Sequence, residues 1–291
     1  MPMMNFSTSD AVAWGEFVEV AYQMYLDNPG NPNPPKPSYF PAGWSVAFNL
    51  TVDPVLGIFS DVEFIGFIAV ATTTPPSYAI VLRGTESDLD WITDFEFWMD
   101  SFTEVPNGGM VEHGFLEITR SLKAVDPTTG ASQPIATVTA GLTAGAAVTL
   151  AGHSLGGAIA VLQASILSSQ GVTAKPQIYT FAAPMAGDRQ FSATFLSLVS
   201  ESYRIYNKPD IVPDTPGTLL GYTQVQTGIG INSLDYPEIQ WSISCFHSLL
   251  TYLYILGSTK YGLQDCATSS RQALLVPSAA SARVGGIASG R

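Results

Sequence analysis

At 291 residues the chain is long enough to bury a sizeable core, and residues 1–291 read as a single large domain rather than two small ones. Charged residues make up only 12%, against a usual share of about 25%, while 26 glycines and 20 prolines imply a surface made polar by hydroxyls and loops. A formal net charge of -12 with no basic cluster disfavours nucleic acid and anionic membrane surfaces through repulsion.

The N-terminal MPMMNFSTSDAVAW lacks a positive region followed by an apolar run, so no signal peptide is read there. The protein is then either cytoplasmic or secreted with its signal already removed. Residues 10–26 carry apolar positions at helical spacing behind Asp10 as a cap. The stretch 28–41 holds six prolines and reads as a surface loop. EFIGFIAVA (63–71) and YAIVLRG (78–84) read as strands, and ATVTAG, AAVTLAG, PQIYTFAAP and SYRIYN as further buried strands. GFLEITRSL, GGAIAVLQASILSSQ and DRQFSATFLSLV read as helices between them. This alternation predicts a parallel or mixed sheet covered on both faces. After about residue 267 an Ala-, Ser- and Gly-rich stretch reads as a loose tail. Cys245 and Cys266, with 20 residues between them, fit one disulfide and two buried thiols equally well. His113, His153 and His247 form no metal-ligand pattern, and no metal or organic cofactor is implied.

TLAGHSLGGAIAV (149–161) lies inside a stretch with no Asp, Glu, Lys or Arg between Asp126 and Lys175. A transmembrane helix is one reading of such a run, which needs about 20 apolar residues. His153 and Ser154 at its centre, with Gly and Thr breaking the apolar face, argue against it. The local order of strand, Gly-x-Ser-x-Gly turn and helix is that of a nucleophile elbow. Gly152 and Gly156 would let strand and helix approach while the turn exposes the Ser154 hydroxyl.

A serine hydroxyl needs a base, and the base needs an orienting carboxylate. In this architecture the chain order is Ser, then Asp or Glu, then His, and His247 is the one histidine downstream of Ser154. Taken alone, it would read as a core histidine at the start of an apolar helix. Asp210, after a strand-like run and before a Pro-rich loop, is the candidate acid. Asp188, Asp214 and Asp235 compete, with Asp188 more simply a helix cap and Asp214 the serious rival.

YAIVLRGTES, DWITDF, GFLEITRSL, VTLAGHSLGGAIA, YTFAAPMAGD, RIYNKPDIVP and CFHSLLTYL, in this order, resemble the fungal-type class 3 lipase family. The likeness runs from about Phe64 to Leu256. It implies the α/β-hydrolase fold, a central mostly parallel sheet with helices on both faces. It also implies that the Asn-x-x-Asp-x-Val-Pro segment carries the acid, which selects Asp210, and that His247 is the base. The residue after Arg-Gly, here Thr85, would donate to the oxyanion. Leu155 would supply the second donor through its backbone N–H. One departure concerns Glu112-His113-Gly114-Phe115, whose histidine stands one place later than in the family, so no role is carried onto His113.

Between Thr85 and the next clear element, Trp91, Phe95, Trp98 and Phe102 make a helical stripe, while Phe95, Phe97 and Met99 alternate as in a strand. The resemblance implies a short lid helix near 86–93 followed by a strand. Leu89, Trp91 and Ile92 would cover an apolar cleft, with Asp88, Asp90 and Asp94 facing water; a fixed surface helix is the alternative. The reading that follows is a serine carboxylic-ester hydrolase, first of all a triacylglycerol lipase, with an ester or acylglycerol substrate met at a lipid–water interface. Carboxylesterase, phospholipase A1, feruloyl esterase and acyltransferase share the same triad. A catalytically inert α/β-hydrolase used as a binding module is the alternative of another class.

Overall fold

The computed structural model describes residues 6–55, 58–85, 97–143, 145–171 and 176–268. The expected lid at 86–93, with Leu89, Trp91 and Ile92, and the expected tail after 267 (beyond Thr268) lie outside them. The elements run α1 (Thr8–Asp27), β1 (Trp44–Val52), β2 (Glu63–Ala71), β3 (Ser77–Leu82), β4 (Met99–Ser101), β5 (Met110–Glu112) and α2 (His113–Ser121). There follow β6 (Lys123–Val125), β7 (Ser132–Pro134), α3 (Ile135–Ala140), β8 (Ala147–His153), α4 (Leu155–Gln170), β9 (Gln177–Phe181), β10 (Gly187–Asp188) and α5 (Arg189–Leu198). The chain continues through β11 (Glu201–Asn207), β12 (Tyr222–Thr223), β13 (Ile229–Ile231), α6 (Ile243–His247) and α7 (Leu249–Leu256).

Among the described residues nine strands form the central sheet in the order β13-β11-β9-β8-β3-β2-β1-β6-β7. From β3 to β13 every pairing is parallel, while β1, β2, β6 and β7 pair antiparallel at the other side. Successive residues of a strand point to opposite faces, so strands buried on both sides need helices on both. Ile80, Leu82 and Leu150 pack on one face against Phe115 of α2, Ile159 and Leu162 of α4, and Phe195 of α5. Ala79, Val81 and Ala151 pack on the other against Val18, Ala21 and Met24 of α1 and Leu253 of α7. This is the layering expected of an α/β-hydrolase. A second sheet, β12-β10-β5-β4, stands apart from the first.

Three local readings change. α1 starts at Thr8, capped by Ser7, whose Oγ accepts from the Asp10 N–H at 3.2 Å; Asp10 is inside the helix and not its cap. ATVTAG is helix α3 rather than a strand: Ile135 and Thr139, one turn apart, are buried, and that burial at helical spacing outweighs the β-branched composition. β1, unread in the sequence, carries a buried Asn49 in mid-strand that interrupts the apolar pattern. Its amide donates to Asn33 Oδ1 at 2.6 Å and Pro34 O at 2.9 Å, which pins the proline-rich loop to the sheet. Among the described residues no helix is long and apolar enough to cross a membrane. α4 is apolar nearly all round because it is buried within the protein.

Candidate active site

β8 ends at His153 and α4 begins at Leu155, so Ser154 alone makes the corner. Its φ of 54° and ψ of -127° are rare for an L-residue and cost of order 1–3 kcal/mol, which the surroundings must hold. The Ser154 N–H donates to Phe181 O of β9 at 2.9 Å, and the Ser154 carbonyl accepts from the Gly157 N–H at 2.9 Å. Two glycines make room for the corner. A Cβ on Gly152 would stand 2.3 Å from Gly156 O, and one on Gly156 would stand 2.4 Å from Arg83 O.

This corner brings Ser154 Oγ to 2.8 Å from His247 Nε2, and His247 Nδ1 lies 2.9 Å from Asp210 Oδ2. An ionised carboxylate only accepts, so Nδ1 carries the proton and the Nε2 lone pair faces the serine hydroxyl. His247 closes the short helix α6 rather than opening an apolar one; Ser248, with φ -59° and ψ 128°, separates it from α7. Asp210 follows β11 on the loop at its carboxyl end, and its Oδ1 accepts from the Val212 N–H at 3.0 Å. Asp214 and Asp235 are exposed, and Asp188 caps α5 by accepting from the Phe191 N–H at 2.7 Å, so none of these three faces His247.

Two partners were not singled out from the sequence. The Tyr252 hydroxyl donates to Asp210 Oδ2 at 2.6 Å and accepts from the Asn207 N–H at 2.9 Å. Burial, and then the Asp210 charge, push this phenol well above its ordinary range, so it remains a donor. The Asn207 amide donates to Ser233 Oγ at 2.9 Å and to Phe246 O at 2.8 Å, tying the end of β11 to the residue before His247. Tyr252 sits in an apolar run, where it reads as a core residue; Asn207, opening the Asn-x-x-Asp segment, did carry a signal.

Thr85 is buried, three residues beyond the end of β3. Its neighbour Gly84 comes so close to the nucleophile that a Cβ there would stand 3.0 Å from Ser154 Cβ. Leu155 is the first residue of α4, where a backbone N–H has no partner inside the helix. His113 lies elsewhere, its Nδ1 2.6 Å from Asp100 Oδ2 and its ring stacked on Trp98. Cys245 and Cys266 are joined in a disulfide, which decides between the two readings and ties α6 to the turn Gln264–Cys266.

A serine hydroxyl, imidazole and carboxylate hydrogen-bonded in series are the groups that nucleophilic acyl transfer needs. Residues 79–220 match the model of the family described as lipase (class 3). Phospholipase A1-IIbeta of Arabidopsis thaliana is 26% identical over 68% of this chain and 55% of its own length. Secreted mono- and diacylglycerol lipase 1 of Fusarium solani is 29% identical over 54% of this chain and 45% of its own. The chain thus spans about half the length of these relatives. Among solved structures, a lipase of Rhizopus microsporus var. chinensis is 24% identical with a TM-score of 0.57, over 78% of this chain and 75% of that one. Lip2 lipase of Yarrowia lipolytica is 22% identical with a TM-score of 0.57, over 82% and 83%. These likenesses show the fold.

Proposed function

We propose that this chain, whose residues 79–220 match the class 3 lipase family, is a serine carboxylic-ester hydrolase acting on neutral acylglycerols. The observation that carries the reading is the unbroken buried series Tyr252–Asp210–His247–Ser154, with contacts of 2.6, 2.9 and 2.8 Å, ending on a serine held at an elbow. Ser154 Oγ attacks the ester carbonyl while His247 Nε2 takes its proton, and Asp210 holds the imidazole and stabilises its charge. The oxyanion is met by Thr85 and by the Leu155 N–H at the positive end of α4. His247 then protonates the departing alcohol. Water, activated by the same imidazole, releases the acid from the acyl-enzyme.

Support for an acylglycerol substrate comes from the rim. Ile211, Leu219, Leu220, Leu234, Trp241 and Ile243 are exposed, all on the segments that leave the carboxyl ends of β11 and β13, the same segments that carry Asp210 and His247. A lipid surface covers such side chains where water does not. Leu89, Trp91 and Ile92 would add to this surface in the covering role that the resemblance implies. The net charge of -12 favours neutral over anionic lipid. Phospholipase A1 activity is the second reading, favoured by the Arabidopsis relative.

Initial rates on a neutral triacylglycerol, on phosphatidylcholine and on a soluble short-chain ester, each below and above its solubility limit, test both. A rate jump as the neutral ester passes that limit is expected. Greater turnover of phosphatidylcholine would replace the first reading by the second. A chain that neither hydrolyses any ester nor is labelled by an organophosphonate would be an inert binding module.

A further inference from the structure

The residue before the nucleophile, His153, is 1% exposed, its ring centroid 4.9 Å from that of His247, and it is hydrogen-bonded on both nitrogens to groups outside the triad side chains. Its Nε2 lies 2.8 Å from the backbone carbonyl of His247. A carbonyl only accepts, so Nε2 carries the hydrogen and Nδ1 presents a lone pair. That lone pair is met at 2.8 Å by the Tyr22 hydroxyl of α1, which must therefore donate. The Tyr22 oxygen in turn accepts from the Gly84 N–H at 2.8 Å. Every direction in the series is forced: Gly84 N–H to Tyr22 O–H to His153, and His153 Nε2–H to the His247 carbonyl. Burial, and then the nearby His247, push the His153 imidazole well below its usual range and keep it in this neutral form.

Gly84 is held from its other side as well. Arg83 Nη1 donates to the Gly84 carbonyl at 2.7 Å. That carbonyl belongs to the same peptide group as the Thr85 N–H, and the group is planar, so fixing the carbonyl fixes where the N–H points. Arg83 is itself fully buried, bonded to Phe64 O at 3.0 Å, paired with Glu63 and stacked over Tyr25 at 3.6 Å.

We infer that Tyr22 and His153 are positioning residues for ester hydrolysis. Together they lock the Arg83–Gly84 peptide (which leads directly into Thr85), the Ser154 corner and the His247 backbone into one geometry without touching the substrate. Arg83 braces the adjoining Gly84–Thr85 peptide on the other side of the Gly84 Cα. The inference rests on the hydrolase reading above, in which Thr85 donates to the oxyanion. The lock acts where charge develops in the transition state, so loosening it lowers kcat and leaves ground-state binding alone.

Tyr22→Phe is the test, because it removes one oxygen and leaves the ring in place. The expected result is a kcat roughly 10–100-fold lower on a soluble ester with KM unchanged, as befits two buried hydrogen bonds lost at once. Inactivation by an organophosphonate, whose tetrahedral adduct fills the oxyanion site, should slow by a similar factor. His153→Gln keeps an N–H donor and should retain more activity than His153→Leu. If both residues act through one series, Tyr22→Phe added to His153→Leu should cost little more than His153→Leu alone. A folded Tyr22→Phe protein with kcat and inactivation rate within twofold of the parent overturns the inference. So does a pair of His153 variants that lose the same activity, which decides the matter should Tyr22→Phe fail to fold. Wild-type hydrolysis abolished by Ser154→Ala but untouched by Tyr22→Phe would remove only the positioning role; ester hydrolysis that survives Ser154→Ala would remove the hydrolase reading itself.

Discussion

Asp210 and Ile211 are neighbours in the chain and opposites in setting. Asp210 is 2% exposed and accepts from three groups, while Ile211 is 46% exposed. The same contrast recurs between His247, buried, and Ile243 at the start of the same short helix, exposed. In the triad each side-chain polar atom has a specific partner, so removing one leaves another buried and unpaired, which costs far more than the bond was worth. On the rim, apolar side chains wait for a surface, and their contribution depends on what the protein meets. Chemistry should therefore fail at the pocket and substrate encounter at the rim.

The sharpest way to break the contrast is at the nucleophile. Ser154→Ala should lower turnover by about 10⁶ while the protein still melts cooperatively, since it removes one oxygen. Near-normal turnover by that variant would end the mechanism. Next comes the acid: Asp210→Asn should cost about 10⁴ in kcat by holding the wrong imidazole tautomer towards Ser154. Asp214→Asn, four residues on and exposed, should stay within a few-fold in the same assay. Reversed effects would place the acid at Asp214. Thr85→Val should lose roughly 10²–10³ in kcat with little change in melting temperature, as for one oxyanion donor. An unchanged rate would leave Thr85 without that role.

On the rim, Leu219→Asp with Leu220→Asp should weaken adsorption to a neutral emulsion about tenfold and leave kcat on a soluble ester alone. Loss of soluble-ester turnover would instead make this loop part of the pocket.

The smallest effect concerns Glu19, in the wall of the protein rather than the site. Burial raises its carboxyl to about 7, against the opposing hydrogen bond from Gln23 and the charge of Lys260. A folded value above the unfolded one means the folded state holds its proton longer. The contribution is then complete below the ordinary carboxylate value of 4.5 and is lost as pH rises through about 7. Melting temperature should fall between those limits, and Glu19→Gln should flatten that fall. An identical slope in both proteins would assign it to other groups.

The α/β layering was legible in the sequence, because strand and helix periodicities and the glycines at 152 and 156 are local properties. So was the elbow, since Gly-x-Ser-x-Gly between a strand and a helix specifies a corner without help from the rest of the chain. The choice of Asp210 needed the family resemblance, as Asp214 lies equally well placed along the chain. Tertiary structure alone decided the rest. Tyr22 meets His153 across 131 residues of sequence, and Tyr252 meets Asp210 across 42. Each stands in a helix where its spacing marks it only as buried. Stretch 135–140 became a helix, and Cys245 and Cys266 became a disulfide, for the same reason. What surrounds a side chain is set by elements distant in sequence, and no local pattern records which polar atom will need a partner there.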